Sequence, residues 1–214
     1  MSPARPTAGT PYARAQQTGR QALRSLILDT ASTLLEAEGP SALTMRRISS
    51  EVGCSTTVLY TMFGGKPGIA EGLWCEGFDR LKVALAEVEG PDPLSRLAAM
   101  GRTYRTNALA NRSYYAVMFQ RPIPGFEPSP EAYETSLAPL LVLTDAVADC
   151  IESGVFRPGD PAHIAGVLWA AAHGAVSLEL AGYEGAHDAE ARFTDLSAAA
   201  GRWFMAARPG TPQS

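Results

Sequence analysis

Residues 43–66 read LTMRRISSEVGCSTTVLYTMFGGK, and the order of their apolar and hydroxyl side chains decides the architecture. Thr44 stands at a helix N-cap, where a side-chain oxygen accepts from the free N–H groups of a first turn. MRRISSEV follows with Met45 and Ile48 on one side. Gly53 then closes this short helix, because a left-handed C-cap favours the residue without a Cβ. Ser55 is the next N-cap. On the segment it opens, Val58, Leu59 and Phe63 are placed to pack inward, while Ser55, Thr56, Thr57 and Thr61 face outward. A core helix of this length would carry more aliphatic bulk, so the outward row is free for a partner outside the chain.

Upstream, Leu23, Ile27, Ala31, Leu34 and Leu35 fall at helical spacing from Gly19 until Glu38-Gly39-Pro40, which predicts a first helix ending at a glycine cap. Three helices within about fifty residues, the last two joined by a Gly-containing turn, form a helix-turn-helix unit. The first 18 residues are rich in Pro, Thr, Ala and Gly with two arginines, a composition that predicts a disordered basic arm.

Everything after Lys66 also reads as helix. Ile69, Leu73, Trp74, Phe78, Leu81, Leu85 and Val88 recur at steps of three and four, and GPDP at 90–93 breaks the pattern. Further helices are expected over 93–109, 112–119, 131–153, 160–182 and 188–207, with RPIPGFEPSP at 121–130, carrying four prolines, as a loop. The expected fold is all-α with about nine helices. Its organisation is a basic arm over 1–18, a helix-turn-helix domain over 19–65, a larger helical domain over 66–207 and a disordered tail over 208–214.

Charge is distributed unevenly. Residues 1–70 hold seven Lys/Arg against four Asp/Glu, whereas the remainder holds 11 against 18, within a net charge of −4. A basic front end on an acidic body suits contact with a polyanion at one place. In a helix-turn-helix the second helix enters the major groove; short hydroxyl side chains there can donate or accept, and a threonine methyl can touch thymine. They are permissive readers and do not spell out a target sequence.

The stretch 43–74, LTMRRISSEVGCSTTVLYTMFGGKPGIAEGLW, resembles the DNA-binding signature of TetR-family transcriptional regulators: a Thr before the second helix, Tyr-x-x-Phe, and a Lys opening the fourth. The resemblance implies that Thr44, Tyr60 and Lys66 contact backbone phosphates and that Ser55, Thr56, Thr57 and Thr61 face bases or phosphates. Arg46 or Arg47 on the second helix is a further phosphate candidate. Phosphate contacts fix register and affinity, and base contacts fix specificity. The sequence departs from the commoner pattern at Cys54, Thr57 and Met62, which leaves the base preference open. VLWAAAHGAVSLELAG at 167–182 resembles the Trp-x-x-x-His-Gly segment of one group of TetR-type C-terminal domains.

By the same resemblance, a ligand pocket lies among the central helices, the last two or three helices form a four-helix bundle between two copies, and the partners are a double-stranded DNA operator and a small, largely apolar effector. Trp74, Phe78, Tyr104, Tyr115, Met118, Phe119, Trp169 and His173 are the pocket candidates, with Tyr104, Tyr115 and His173 as its polar members. Each of them could instead be core packing. The function implied is a homodimeric regulator, most often a repressor in such families.

Two alternatives stay open: an effector-independent DNA-binding protein, and a small-molecule binder or enzyme with an incidental helix-turn-helix. Enzymatic chemistry has no support in the residues, since there is no nucleophile elbow, phosphate loop or paired-carboxylate pattern. No carboxylate stands at ligand spacing to His163 or His173, so no metal and no cofactor is expected. Cys54, Cys75 and Cys150 are odd in number and widely spaced, which suggests free thiols rather than a disulfide framework. No run approaches the ~18–20 apolar residues of a membrane span, and the first residues lack a signal-peptide apolar region. The cytoplasm is therefore the expected compartment.

Overall fold

The structure, a computed structural model, describes residues 10–183 and 188–207. Residues 1–9 of the expected arm and the expected tail over 208–214 lie outside the described residues. Among the described residues the chain forms ten α-helices and one 3-10 turn, with a single isolated β-bridge, Phe156 to Met205, in place of any sheet. It divides into two compact units. The first comprises residues up to Leu73 with Ile123–Phe126, and the second comprises Trp74–Pro122 with residues from Glu127 onward.

The first unit contains α1 (Pro11–Glu38), the 3-10 turn (Pro40–Ala42), α2 (Met45–Val52), α3 (Thr56–Phe63) and the opening turns of α4 (Lys66–Ala86). Its core is built from Ile27, Leu28, Ala31, Leu43, Ile48, Leu59, Ile69 and Leu73, each at most 1% exposed. Gly53 adopts φ 76 and ψ 29 and donates its N–H to the Ser49 carbonyl, so the turn between α2 and α3 uses the left-handed conformation that glycine takes without strain. Gly68 is required for a different reason: a Cβ there would overlap the carbonyl oxygen of Phe63. That close approach sets how α4 leaves α3.

α1 begins at Pro11, eight residues before the apolar pattern at Gly19 announces it, so residues 11–18 of the expected arm are helical. The Thr10 hydroxyl accepts from the Ala13 N–H at 3.2 Å, and Pro11 occupies the first turn, where its missing N–H costs nothing. These extra turns are solvent-exposed. They carry Ala, Arg and Gln, so helix propensity and capping act there where burial does not.

The second unit contains the remainder of α4, α5 (Pro93–Ala110), α6 (Arg112–Phe119), α7 (Pro130–Ser136), α8 (Ala138–Glu152), α9 (Pro161–Leu180) and α10 (Ala189–Phe204). The helix expected over 131–153 is two helices. Pro139 cannot donate an N–H and crowds the preceding turn, so the chain breaks at Leu137 and restarts. α9 packs on α8, α10 and α5, and its small residues Ala165, Ala172 and Ala175 are buried. Arg105 on α5 clamps Glu179 on α9 through two bonds of 2.9 and 2.7 Å, and Arg96 on α5 reaches Asp149 on α8 at 3.0 Å. Past α10 the chain turns extended: Arg157 N–H donates to the Phe204 carbonyl and Ala206 N–H to the Val155 carbonyl. α10 therefore stops at Phe204 rather than near 207.

The expected division at residue 65/66 differs from that between the compact units, because α4 is continuous from Lys66 to Ala86 while its first turns belong to the first unit.

Candidate nucleic-acid interface and ligand cavity

On the first unit, α3 buries Leu59 completely, with Val58 and Phe63 half-buried behind it. Its other face presents Ser55, Thr57, Tyr60 and Thr61 to solvent, with Thr56 half-buried at the edge. Tyr60 is 54% exposed, a large apolar ring left in water beside a polar row.

The hydroxyls are not equivalent. Thr44 accepts from the Arg47 N–H at 3.1 Å as the cap of α2, which leaves its own proton available as a donor. Thr61 donates to the Thr57 carbonyl at 2.8 Å, so its oxygen faces outward as an acceptor. Ser55 makes no side-chain cap bond and keeps both capacities. Lys66 donates to the Pro40 carbonyl at 3.0 Å, and two of its three ammonium protons stay uncommitted.

The two arginines of α2 separate cleanly. Arg47 is held between Glu38 at 2.7 Å and Glu51 at 2.6 Å, and these hydrogen bonds raise its pKa above the ordinary arginine value. Arg46 is exposed. Of the pair, Arg46 is the one whose charge is not already neutralised.

In the second unit a cavity of about 830 Å³ opens among the helices, within the range of small-molecule sites. Six of the eight pocket candidates line it: Trp74, Phe78, Tyr104, Met118, Phe119 and Trp169. The rings of Trp74, Phe78, Phe119 and Trp169 form a continuous aromatic wall, with successive centroids 5.0, 5.6 and 6.2 Å apart. The Trp74 indole N–H is satisfied by the Ala132 carbonyl at 3.3 Å.

Tyr115 and His173 do not line the cavity; they meet it through Tyr104. The His173 Nδ1 lies 2.9 Å from the Tyr104 hydroxyl and 3.2 Å from that of Tyr115. Phe119 meets the imidazole edge-on at 4.7 Å and Trp169 lies 5.4 Å away. Burial pushes the His173 pKa below its ordinary value and both tyrosines above theirs. All three groups are therefore neutral near pH 7 and bond as neutral partners.

Thr194, Ser197 and Arg202 on α10, together with Arg102 on α5, also line the cavity. Sequence reading finds no site in the first three, because a serine and a threonine on an alanine-rich helix give no signal until the facing helix is known. All three cysteines are free; Cys150 is buried, and desolvation pushes its thiol up to about 11. Among the described residues no helix is long and apolar enough to cross a membrane, and no group of three or more His, Cys, Asp or Glu could hold a metal ion.

Residues 27–73 match the family described as bacterial regulatory proteins, tetR family, and residues 97–200 match "Tetracyclin repressor-like, C-terminal domain". No curated protein matches the chain by sequence. Among solved structures, a Rhodococcus sp. RHA1 protein of unknown function aligns with TM-score 0.74 and 27% identity over 86% of this chain and 95% of its own. The TetR-family transcriptional regulator PfmR from Thermus thermophilus aligns with TM-score 0.63 and 20% identity, covering 82% and 97%. SmeT, solved as a complex with triclosan, aligns with TM-score 0.67 and 18% identity, covering 90% and 98%.

Proposed function

Given that the chain belongs to the TetR family of transcriptional regulators, we propose that it is a homodimeric repressor, released from a palindromic operator when a largely apolar effector enters the second unit. The observation that carries this reading is a reading helix with an exposed hydroxyl row and Tyr60, flanked by Lys66 and Arg46, in a chain that also has a cavity of about 830 Å³ among the helices of its second unit. An effector-independent DNA-binding protein has no need of such a cavity.

In this reading Thr44, Tyr60, Lys66 and Arg46 hold phosphates, and Ser55, Thr56, Thr57 and Thr61 face base edges. Two copies join through the last helices, whose apolar residues Leu178 and Trp203 are 45% and 73% exposed in the single chain. Their two heads then meet successive major grooves about 34 Å apart. Effector binding releases DNA only if the effector prefers the state in which that spacing is lost; α4, shared between the units, is the element expected to swing. The triclosan complex of SmeT, a protein of the same fold, supports a ligand-binding role for the cavity. Regulators of this family are in general non-enzymatic, and the role proposed is cytoplasmic and without cofactor.

The test is selection from randomised duplex DNA by the purified protein at two salt concentrations, with sequencing of what is retained. A palindromic consensus with steep salt dependence is the expected result. Absence of enrichment at both concentrations would overturn the operator-binding reading.

A further inference from the structure

We infer that the effector is an apolar molecule carrying one anionic head, a carboxylate being the simplest, and that Arg102 on α5 and Arg202 on α10 supply the positive charge of the cavity wall that meets it. The inference rests on the reading of the cavity as the effector site and adds the chemistry of what enters it.

Charge on the cavity wall is one-sided. The lining contains two arginines and no Asp or Glu among the described residues, in a chain with 22 Asp/Glu against 18 Lys/Arg. Such a wall disfavours a cation and leaves a neutral molecule without a use for the arginines.

The arginines are also available. On α5, Arg96 is paired with Asp149 and Arg105 with Glu179, while Arg102 makes no ion pair or side-chain hydrogen bond among the described residues and remains exposed on the lining. Arg202 gives only its Nε to the Ala198 carbonyl, at 3.3 Å, so both terminal nitrogens of its fork are free for a carboxylate.

Ser197 lies on the same cavity wall. Its Oγ is buried without a hydrogen-bond partner, although other helical hydroxyls of this unit bond back to their own helix, as Thr194 does to the Glu190 carbonyl at 2.8 Å and Thr144 to the Leu140 carbonyl at 2.8 Å. A buried hydroxyl left unpaired costs stability, and this one is closed to water, so a ligand atom reaches it only if α10 shifts. Thr194, Ser197, Ala198, Gly201 and Arg202 bring α10 to the cavity wall, and near the start of that helix the Phe193 ring lies 3.9 Å from where a Cβ on Gly101 would stand. α5, which carries Arg102, thus runs beside the first turns of α10, where Arg105 also reaches Glu190 at 3.6 Å. The aromatic wall, made by α4, α6 and α9, is left for the apolar body of the molecule.

The experiment uses the neutral fluorophore N-phenyl-1-naphthylamine as a cavity probe and displaces it with dodecanoate or with dodecan-1-ol at pH 7.5. An apolar cavity without a head-group site favours the alcohol, because the carboxylate is the more costly group to dehydrate. The expected result is displacement by dodecanoate at a concentration at least about tenfold lower than by the alcohol, a difference of about 1.4 kcal/mol. Arg102→Gln and Arg202→Gln should each narrow that gap several-fold while still binding the fluorophore, which controls for folding. Equal displacement by acid and alcohol in the unaltered protein would overturn the head-group site and leave the cavity reading standing. A gap unchanged in both variants would overturn the assignment to these residues. Failure of the fluorophore to bind the unaltered protein would overturn the cavity reading and this inference with it.

Discussion

The Lys66 ammonium donates to the Pro40 carbonyl at 3.0 Å, tying the first residue of α4 to the turn that follows α1. The same group is thus positioned by one bond while its remaining protons stay available to a phosphate. Lys66→Ala should weaken binding to all duplex sequences alike and lower the slope of log K against log salt by about one unit, as expected for one lost phosphate contact. Titrations at four salt concentrations measure it, and an unchanged slope would remove Lys66 from the interface.

Arg46 and Arg47 offer a paired control on neighbouring positions. Arg46→Ala should reduce the salt slope by about the same unit, because its charge is unneutralised. Arg47→Ala should change it little, because Glu38 and Glu51 already occupy that guanidinium. Equal effects of the two substitutions would contradict this division.

Thr57 and Thr61 should act on sequence preference rather than on overall affinity. Thr61 donates its proton inward to the Thr57 carbonyl, so it faces outward as an acceptor, suited to a base amino group. Thr61→Val removes that acceptor and should cost about 1 kcal/mol at one position of the selected site; Thr57→Ala should relax preference at another. Operator selection repeated with each variant checks this, and an unaltered consensus would exclude direct reading by that residue.

Two glycines of α4 separate rigid from adaptable packing. A Cβ on Gly68 would meet the Phe63 backbone, which cannot yield, whereas a Cβ on Gly77 would meet the Met118 sulfur at 2.7 Å, the end of a flexible side chain. Gly68→Ala should destabilise the first unit by about 3 kcal/mol, and Gly77→Ala by about 1 kcal/mol. Urea unfolding followed by circular dichroism distinguishes them, and similar costs would contradict the contrast.

His173 gives a pH dependence of defined sign. Its folded-state pKa is depressed by burial, so the unfolded chain binds the proton more readily. The stability it contributes is present above the unfolded value of about 6.5 and is lost as pH falls from there toward the depressed folded value. Thermal melts at pH 7.5 and 5.5 should therefore show a larger loss for the unaltered protein than for His173→Gln. An equal loss in both would show that the imidazole is not held neutral by the fold.

Sequence alone determined the helix-turn-helix and its outward row. Caps, the glycine turn and apolar spacing act within four residues along the chain, so Thr44, Gly53 and Leu59 announce their places without knowledge of the rest. The exposed turns of α1 before Gly19 and the break at Leu137 were less legible, because solvent-facing propensity and one proline compete with no apolar period. The eight pocket candidates could be named as a class, since large, mostly apolar side chains must be buried somewhere. Tertiary structure alone decided which of them face a cavity, that Tyr115 and His173 stand behind Tyr104, that Arg47 is spent on Glu38 and Glu51, and that Ser197 is left without a partner. Those outcomes depend on contacts between residues as much as 69 positions apart, such as Tyr104 with His173, and only the packed helices bring such groups together.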